Sequence, residues 1–240
     1  MIEMIHVSKA YDVTPQALSD ITLRVEKGRF VYLTGPIGAG KTTLLKLLYA
    51  AERPTEGEIR VNGFDVRRLK WREIPYLRRS LGVVFQGFKL LSHRTAFENV
   101  AFALEVLGAS RREVVKKTTQ ALHWVGLERK GNCFPSQLSA GEQQKVAIAR
   151  AVVNEPLLIL ADEPTGNIDP GATEEIMKLF AEINFRGATV VLATHNSGLP
   201  LMLPKEQIVL EQGRMVERFT AGGAETAETR QNLMGLMKKA

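Results

Sequence analysis

Two stretches of this chain carry residues suited to handling phosphate. "GPIGAGKT", Gly35 to Thr42, fits the pattern G-x-x-x-x-G-K followed by a hydroxyl residue. Glycines at these positions let backbone N–H groups turn inward around phosphate oxygens. Lys41 can reach terminal phosphates as a point charge, and Thr42 offers a hydroxyl to Mg²⁺. A glycine turn that merely starts a helix would need neither residue. The second stretch, "LSAGEQQKVAIAR", Leu138 to Arg150, places a serine, small residues and a carboxylate where a helix should begin, which is also an anion-binding design. Between the second grip and the C-terminus lies "LLILADE". Its Asp162 should emerge at the carboxyl end of a strand and hold a Mg²⁺ shell through water. Glu163, one residue past the strand, can swing towards a terminal phosphate and polarise an attacking water.

These groups need particular elements to position them. "FVYLT", Phe30 to Thr34, is continuously apolar and breaks into glycines, as a buried parallel strand does before a loop. "KTTLLKLLYAAE" follows as a helix. "PLLILADE" and "ATVVLATH" read as further buried strands, with the helix "ATEEIMKLFAEINFRG" between them. By contrast "ALSDITLRVEKG" alternates (Leu18, Ile21, Leu23, Val25), as a half-buried antiparallel strand should. "MIEMIHVSKAY" and "GEIRVNG" read as its companions, and "QIVLEQGRMVE" as a terminal hairpin. From about Phe88 to Gly126 apolar residues recur at helical spacing, with Ser110 as an N-cap. The tail beyond Thr220 reads as flexible, or as a short helix around Leu233 to Met237.

The bulk numbers set the frame. With 45% hydrophobic and 24% charged residues in 240, the chain has the balance of an ordinary globular domain. No apolar run approaches the ~18–20 residues of a membrane span, and the N-terminus lacks a signal-peptide core. The expectation is a chain that stays on the cytoplasmic side. Cys133 is the only cysteine, so it cannot form an internal disulfide, and a cysteine-based metal site is not expected. A net charge of +6 suits nucleic acid, an anionic membrane surface or an anionic ligand, and selects none of them. Six basic residues against Glu73 gather in "RRLKWREIPYLRR", Arg67 to Arg79. This segment reads either as a solvated helical face or as a surface for lipid headgroups or an acidic partner.

Taken together, "GPIGAGKT", "LSAGEQ" and "LLILADE" resemble the ATP-binding cassette ATPases over about Met1 to Val216. The resemblance implies an α/β fold: a P-loop NTPase (RecA-like) core, an antiparallel β subdomain and a helical signature subdomain at about 88–150. The nucleotide-binding domain would span 1–219 and the tail 220–240. It implies ATP and Mg²⁺ as ligands. Gly35, Pro36, Ile37, Gly38, Ala39, Gly40, Lys41, Thr42 and Thr43 would hold the nucleotide, with Tyr11 stacked on adenine. Thr42, Gln86 and Asp162 would serve Mg²⁺. Glu163, His195 and Gln86 would be catalytic, His195 through the γ-phosphate. Ser139, Ala140, Gly141 and Glu142 would bind the ATP held by the other cassette of a head-to-tail homodimer. Asp169, with Asn167, would cross between the two cassettes.

Finer features, among them "RRSLGVVFQ", "LLSHRTAFENVAFAL", "FPSQLS" and "ADEPTGNID", are similar to the cell-division branch of that family. That likeness implies a partner resembling the integral membrane subunit FtsX, further division-site proteins, a peripheral place on the cytoplasmic face of the plasma membrane, and signalling to peptidoglycan hydrolases outside. The nearest alternative is the ATPase of a lipoprotein-releasing or macrolide-type transporter. No nucleic-acid partner is expected, because the cassettes of DNA repair and translation carry coiled-coil insertions or paired cassettes absent here. The chain departs from the family pattern at Ala140, where a glycine is usual, and at Asn196 after His195. If that glycine needs positive φ, the alanine methyl is costly; otherwise it is nearly silent.

Overall fold

The structure is a computed structural model that describes residues 1–12 and 16–219. The terminal stretch 220–240, expected as a tail, lies outside the described residues. In chain order the strands are β1 (Ile2–Lys9), β2 (Leu18–Val25), β3 (Phe30–Thr34), β4 (Glu56–Val61), β5 (Phe64–Asp65), β6 (Leu81–Val84), β7 (Leu158–Asp162), β8 (Thr189–Thr194), β9 (Glu206–Glu211) and β10 (Arg214–Phe219). The helices are α1 (Lys41–Leu48), α2 (Ile74–Arg79), α3 (Ala96–Glu105), α4 (Arg111–Trp124), α5 (Ala140–Val152), α6 (Pro170–Phe185) and α7 (Gly198–Met202).

The strands form two sheets. The smaller has the order β2-β1-β4-β5, with antiparallel neighbours. The larger has the order β10-β9-β3-β8-β7-β6, parallel from β9 to β6 and closed at one edge by the antiparallel β10. Period-two alternation divides the core of the parallel sheet. Val31, Leu33, Leu158, Leu160, Val191 and Ala193 face α1 and the antiparallel sheet, in one cluster with Leu44, Leu45 and Leu48. Phe30, Tyr32, Ile159, Ala161, Val190 and Leu192 face the other way, onto Ile176, Phe180 and Ile183 of α6. Strands buried on both faces explain the unbroken apolar runs in the sequence.

A third core joins α3, α4 and α5 through Val100, Leu104, Leu122, Val146 and Ala149. Each of these helices begins with a complete capping box: Thr95 with Glu98, Ser110 with Glu113, and Ser139 with Glu142. The S/T-x-x-E spacing satisfies two N-terminal backbone donors at each start. Helix begins later than the periodicity suggests, at Ala96 rather than near Phe88. In the segment before it Gly87, Phe88 and Lys89 take left-handed φ, which no helix continues.

The basic segment 67–79 is helical only over α2. Arg78 donates to the carbonyls of Tyr49 and Ala50 at the end of α1, so part of its charge serves the fold. Trp71 and Tyr76 stand 72% and 59% exposed beside Arg72 and Arg79. Cys133 is free and half-buried against the helical core.

Candidate nucleotide site

The loop between β3 and α1 is shaped by two glycines. Gly35 has φ +141°, and a Cβ there would lie 2.0 Å from the Leu210 carbonyl oxygen. Gly40 caps α1 in the left-handed region at φ +100°, where a Cβ would lie 2.6 Å from the Ala17 carbonyl oxygen. The loop is therefore wedged against β9 and the segment before β2, and no other residue fits either position. The turn between β9 and β10 braces it from below, with Gly213 N–H donating to the Ala39 carbonyl (3.1 Å).

A cavity of about 600 Å³ opens over this loop. It gathers, from distant parts of the chain, Tyr11, the residues Ile37 to Thr43, Gln86, Glu163 and His195. Gln16, Ala17 and Gln212 also line it, and sequence reasoning missed all three. Only the Gln-Gly pair at 212–213 hinted at a turn, and nothing local says that this turn meets the phosphate loop. Gly35 and Pro36 contribute through their carbonyls, which accept from Lys41 Nζ at 2.7 and 3.0 Å. Tyr11 lies just past β1, an interior strand rather than an edge strand, with Lys9 Nζ 4.7 Å from its ring centroid.

Charge is concentrated behind the loop. Lys41 is 6% exposed, and Glu163 Oε1 lies 3.8 Å from its ammonium. Burial pushes the Lys41 pKa down, outweighing the opposite pull of Glu163 and Asp162. Asp162 ends β7 and accepts from the Thr42 hydroxyl at 3.2 Å. Burial raises its pKa, against the Thr42 hydrogen bond and the nearby lysines, which favour the carboxylate. Glu163 follows with φ +46°, a left-handed turn that swings it off the strand. Its Oε1 lies 2.8 Å from His195 Nδ1, and its Oε2 accepts from Thr194 Oγ1 at 3.3 Å. The carboxylate thus faces the cavity between a lysine and a histidine. A hydroxyl and one carboxylate at the loop's end suit Mg²⁺, which completes its shell with phosphate and water. Among the described residues no cluster of three or more His, Cys, Asp or Glu forms an all-protein metal cage.

The second grip lies elsewhere. Ser139, Ala140, Gly141 and Glu142 line no part of this cavity. Ser139 accepts from Glu142 N–H at 3.2 Å, while Glu142 accepts from Ser139 N–H at 2.9 Å and pairs with Lys130. The Ala140 and Gly141 N–H groups are those a helix start leaves without internal partners. Asp169 caps α6 by accepting from Ala172 N–H at 2.9 Å. The two helix starts touch, because a Cβ on Gly141 would lie 2.9 Å from Ala172 Cβ. Ala140 is not among the positive-φ residues and opens α5 in helical geometry, so its methyl group is not strained there.

Comparison with known proteins gives the family. The family described as "ABC transporter" matches residues 18–166. The chain is 49% identical over 222 residues to the cell division ATP-binding protein FtsE of Bacillus subtilis (strain 168), covering 92% of this chain and 97% of that protein. It is 48% identical over 215 residues to the protein of the same name from Escherichia coli (strain K12), covering 90% and 97%. Its fold is similar to the dimeric post-hydrolysis structure of the ATP-binding cassette MJ0796 bound to ADP and Pi. The TM-score is 0.86 with 36% identity, covering 93% of this chain and 100% of that one. No described helix is long and apolar enough to cross a membrane. The chain belongs to the ABC transporter family, as one of its ATP-hydrolysing cassettes.

Proposed function

We propose that this cassette is a Mg²⁺-dependent ATPase that closes as a head-to-tail homodimer around two ATP molecules and drives a membrane subunit resembling FtsX in bacterial cell division. It would act peripherally, at the cytoplasmic face of the plasma membrane, and signal through that subunit to peptidoglycan hydrolases. The observation that carries this reading is the division of the phosphate-binding groups. The Lys41 cavity and the Ser139 helix start are separate surfaces of one chain. A phosphate held at the first would meet the second only on another copy. Closure would then be driven by ATP shared between copies, and hydrolysis would release it.

In this reading Lys41 exchanges the Gly35 and Pro36 carbonyls for phosphate oxygens. Thr42, Asp162 and Gln86 would hold Mg²⁺, which would neutralise phosphate charge when bound. Glu163 accepts a proton from the attacking water as its oxygen bonds to the γ-phosphorus. The bond to the bridging oxygen breaks, and ADP leaves. His195 supports the 2.8 Å contact to Glu163 and orients that carboxylate. Tyr11, which lines the cavity, would stack on the base. The Ser139 hydroxyl and the Ala140 and Gly141 N–H groups complete the partner's site, with Asp169 in the crossing loop.

The division role rests on relatives at 45–49% identity named as cell division proteins. A transporter role of the lipoprotein-releasing or macrolide type is the second reading. Its support is the likeness to MJ0796, described as a bacterial ABC transporter cassette, at a lower 36% identity. Replacing the chromosomal copy by Glu163→Gln in the organism that encodes it separates them. Division signalling predicts elongated, undivided cells with the chain retained at the membrane. Normal division with retained lipoproteins or macrolide sensitivity would move the assignment to transport.

A further inference from the structure

Gln86 sits two residues beyond β6, at the head of an unusual turn. Gly87, Phe88 and Lys89 have φ of +71°, +61° and +49° in succession. The left-handed region costs a residue with a side chain roughly 1–2 kcal/mol, so a phenylalanine and a lysine side by side there must be held by their surroundings. The holder is Arg150, in the last turn of α5. Its Nη2 donates to the Phe88 carbonyl at 2.9 Å, and its Nη1 donates to the Lys89 carbonyl at 2.7 Å. A planar fork on two successive carbonyls is a geometry that lysine cannot reproduce. Burial lowers the Arg150 pKa, and the two carbonyls its guanidinium donates to offset part of the cost of burying the charge.

The far end of the same loop is tied in a similar way. Asn99 is wholly buried; its Oδ1 accepts from Leu91 N–H at 2.7 Å, and its Nδ2 donates to the Leu91, Arg94 and Thr95 carbonyls at 2.9–3.1 Å. Both ties belong to the helical layer, where α3 and α5 share one core. Gln86 itself lines the nucleotide cavity. Ser139 and Arg150 stand at opposite ends of the same helix, about 16 Å apart at ~1.5 Å per residue.

We infer that Arg150 is a positioning residue for Gln86: it fixes the 87–89 turn to α5, so that Gln86 follows the helix whose start bears Ser139. This coupling rests on the proposed dimeric reading; the fixing of the turn does not. Three variants test it: Arg150→Gln, Gln86→Ala and the double variant. By hydrogen exchange on the nucleotide-free chain, Arg150→Gln should speed exchange of the 87–90 amides at least tenfold and leave the α6 and β8 amides unchanged. Its ATP dissociation constant should stay within twofold of the parent. Turnover should fall on the order of 10- to 100-fold, as misplaced catalytic groups do. The double variant should be no slower than Gln86→Ala alone. Arg150→Lys should recover only part of the turnover, and it carries the same measurements if Arg150→Gln does not fold. Multiplying losses in the double variant, or unchanged exchange at 87–90, would overturn the inference. Because exchange is read without hydrolysis, a failure of the dimeric reading would leave that arm unaffected.

Discussion

Replacing Lys41 by methionine separates what this residue does for the ligand from what it does for the fold. Lys41 is 6% exposed, and its ammonium is compensated by two carbonyls and by Glu163 at 3.8 Å. Its pKa is lowered by burial. A lowered lysine pKa means that the folded chain binds this proton less tightly than the unfolded chain does. The group's contribution to stability is therefore fully present above its ordinary pKa of 10.5 and is lost as pH falls through the folded-state value. At pH 7 the charge subtracts from stability, and methionine removes that cost while keeping the length of the side chain. The opposing term is Asp162 and Glu163, left with less cationic company. Exchanging a buried, partly compensated charge for an apolar group is near neutral, so the nucleotide-free midpoint should move by about 1 kcal/mol or less, ~2–4 °C for a domain of this size. The difference, variant minus parent, should fall as pH rises towards 10.5. ATP tells the opposite story. At about 100 times its dissociation constant a ligand stabilises by ~2.7 kcal/mol, or roughly 5–11 °C. Lys41→Met should lose that rise. Differential scanning fluorimetry with and without Mg²⁺-ATP reads both quantities. A drop of more than about 10 °C without nucleotide would show that Lys41 serves the fold, and a preserved ATP shift would show that it does not hold the nucleotide.

Glu163→Gln retains the bond from Thr194 but cannot accept a proton from water, so phosphate release should fall ~10²–10⁴-fold while equilibrium dialysis finds ATP affinity preserved. Ala140→Gly restores the residue more usual in the family. Because Ala140 already has helical φ, the change should cost up to about 1 kcal/mol in helix stability, seen as a lower melting midpoint. It should bring no gain in ATP-dependent association measured by light scattering.

Much of this was legible because it is local. The run from Phe30 through "GPIGAGKT" into α1 carries its own strand, glycine and helix signals. Ser110 and Ser139 announce their helices through the glutamate three residues on. What stayed hidden is set by contacts between distant segments. β6 is four residues long and contains Gly82, where a Cβ would lie 2.3 Å from the Ala151 carbonyl oxygen. Only the packed structure explains that glycine. Residues 88–95 carry apolar side chains at a helix-like spacing, yet Arg150 and Asn99 bend them into a loop from outside. Gln212 enters the site through a hairpin turn far from it in sequence. The sequence also left the φ of residue 140 open, because alanine disfavours positive φ without forbidding it; the structure shows it helical.

Sedimentation velocity on a matched pair of variants tests whether one active site is built from two chains. Glu163→Gln with saturating Mg²⁺-ATP should sediment at twice the 26.6 kDa of the single chain. Adding Ser139→Asp keeps a competent helix cap but sets a carboxylate where the partner's phosphate would lie. That double variant should bind ATP as tightly and remain at 26.6 kDa. A dimer that survives Ser139→Asp, or a Glu163→Gln chain that stays single at saturating ATP, would contradict the account.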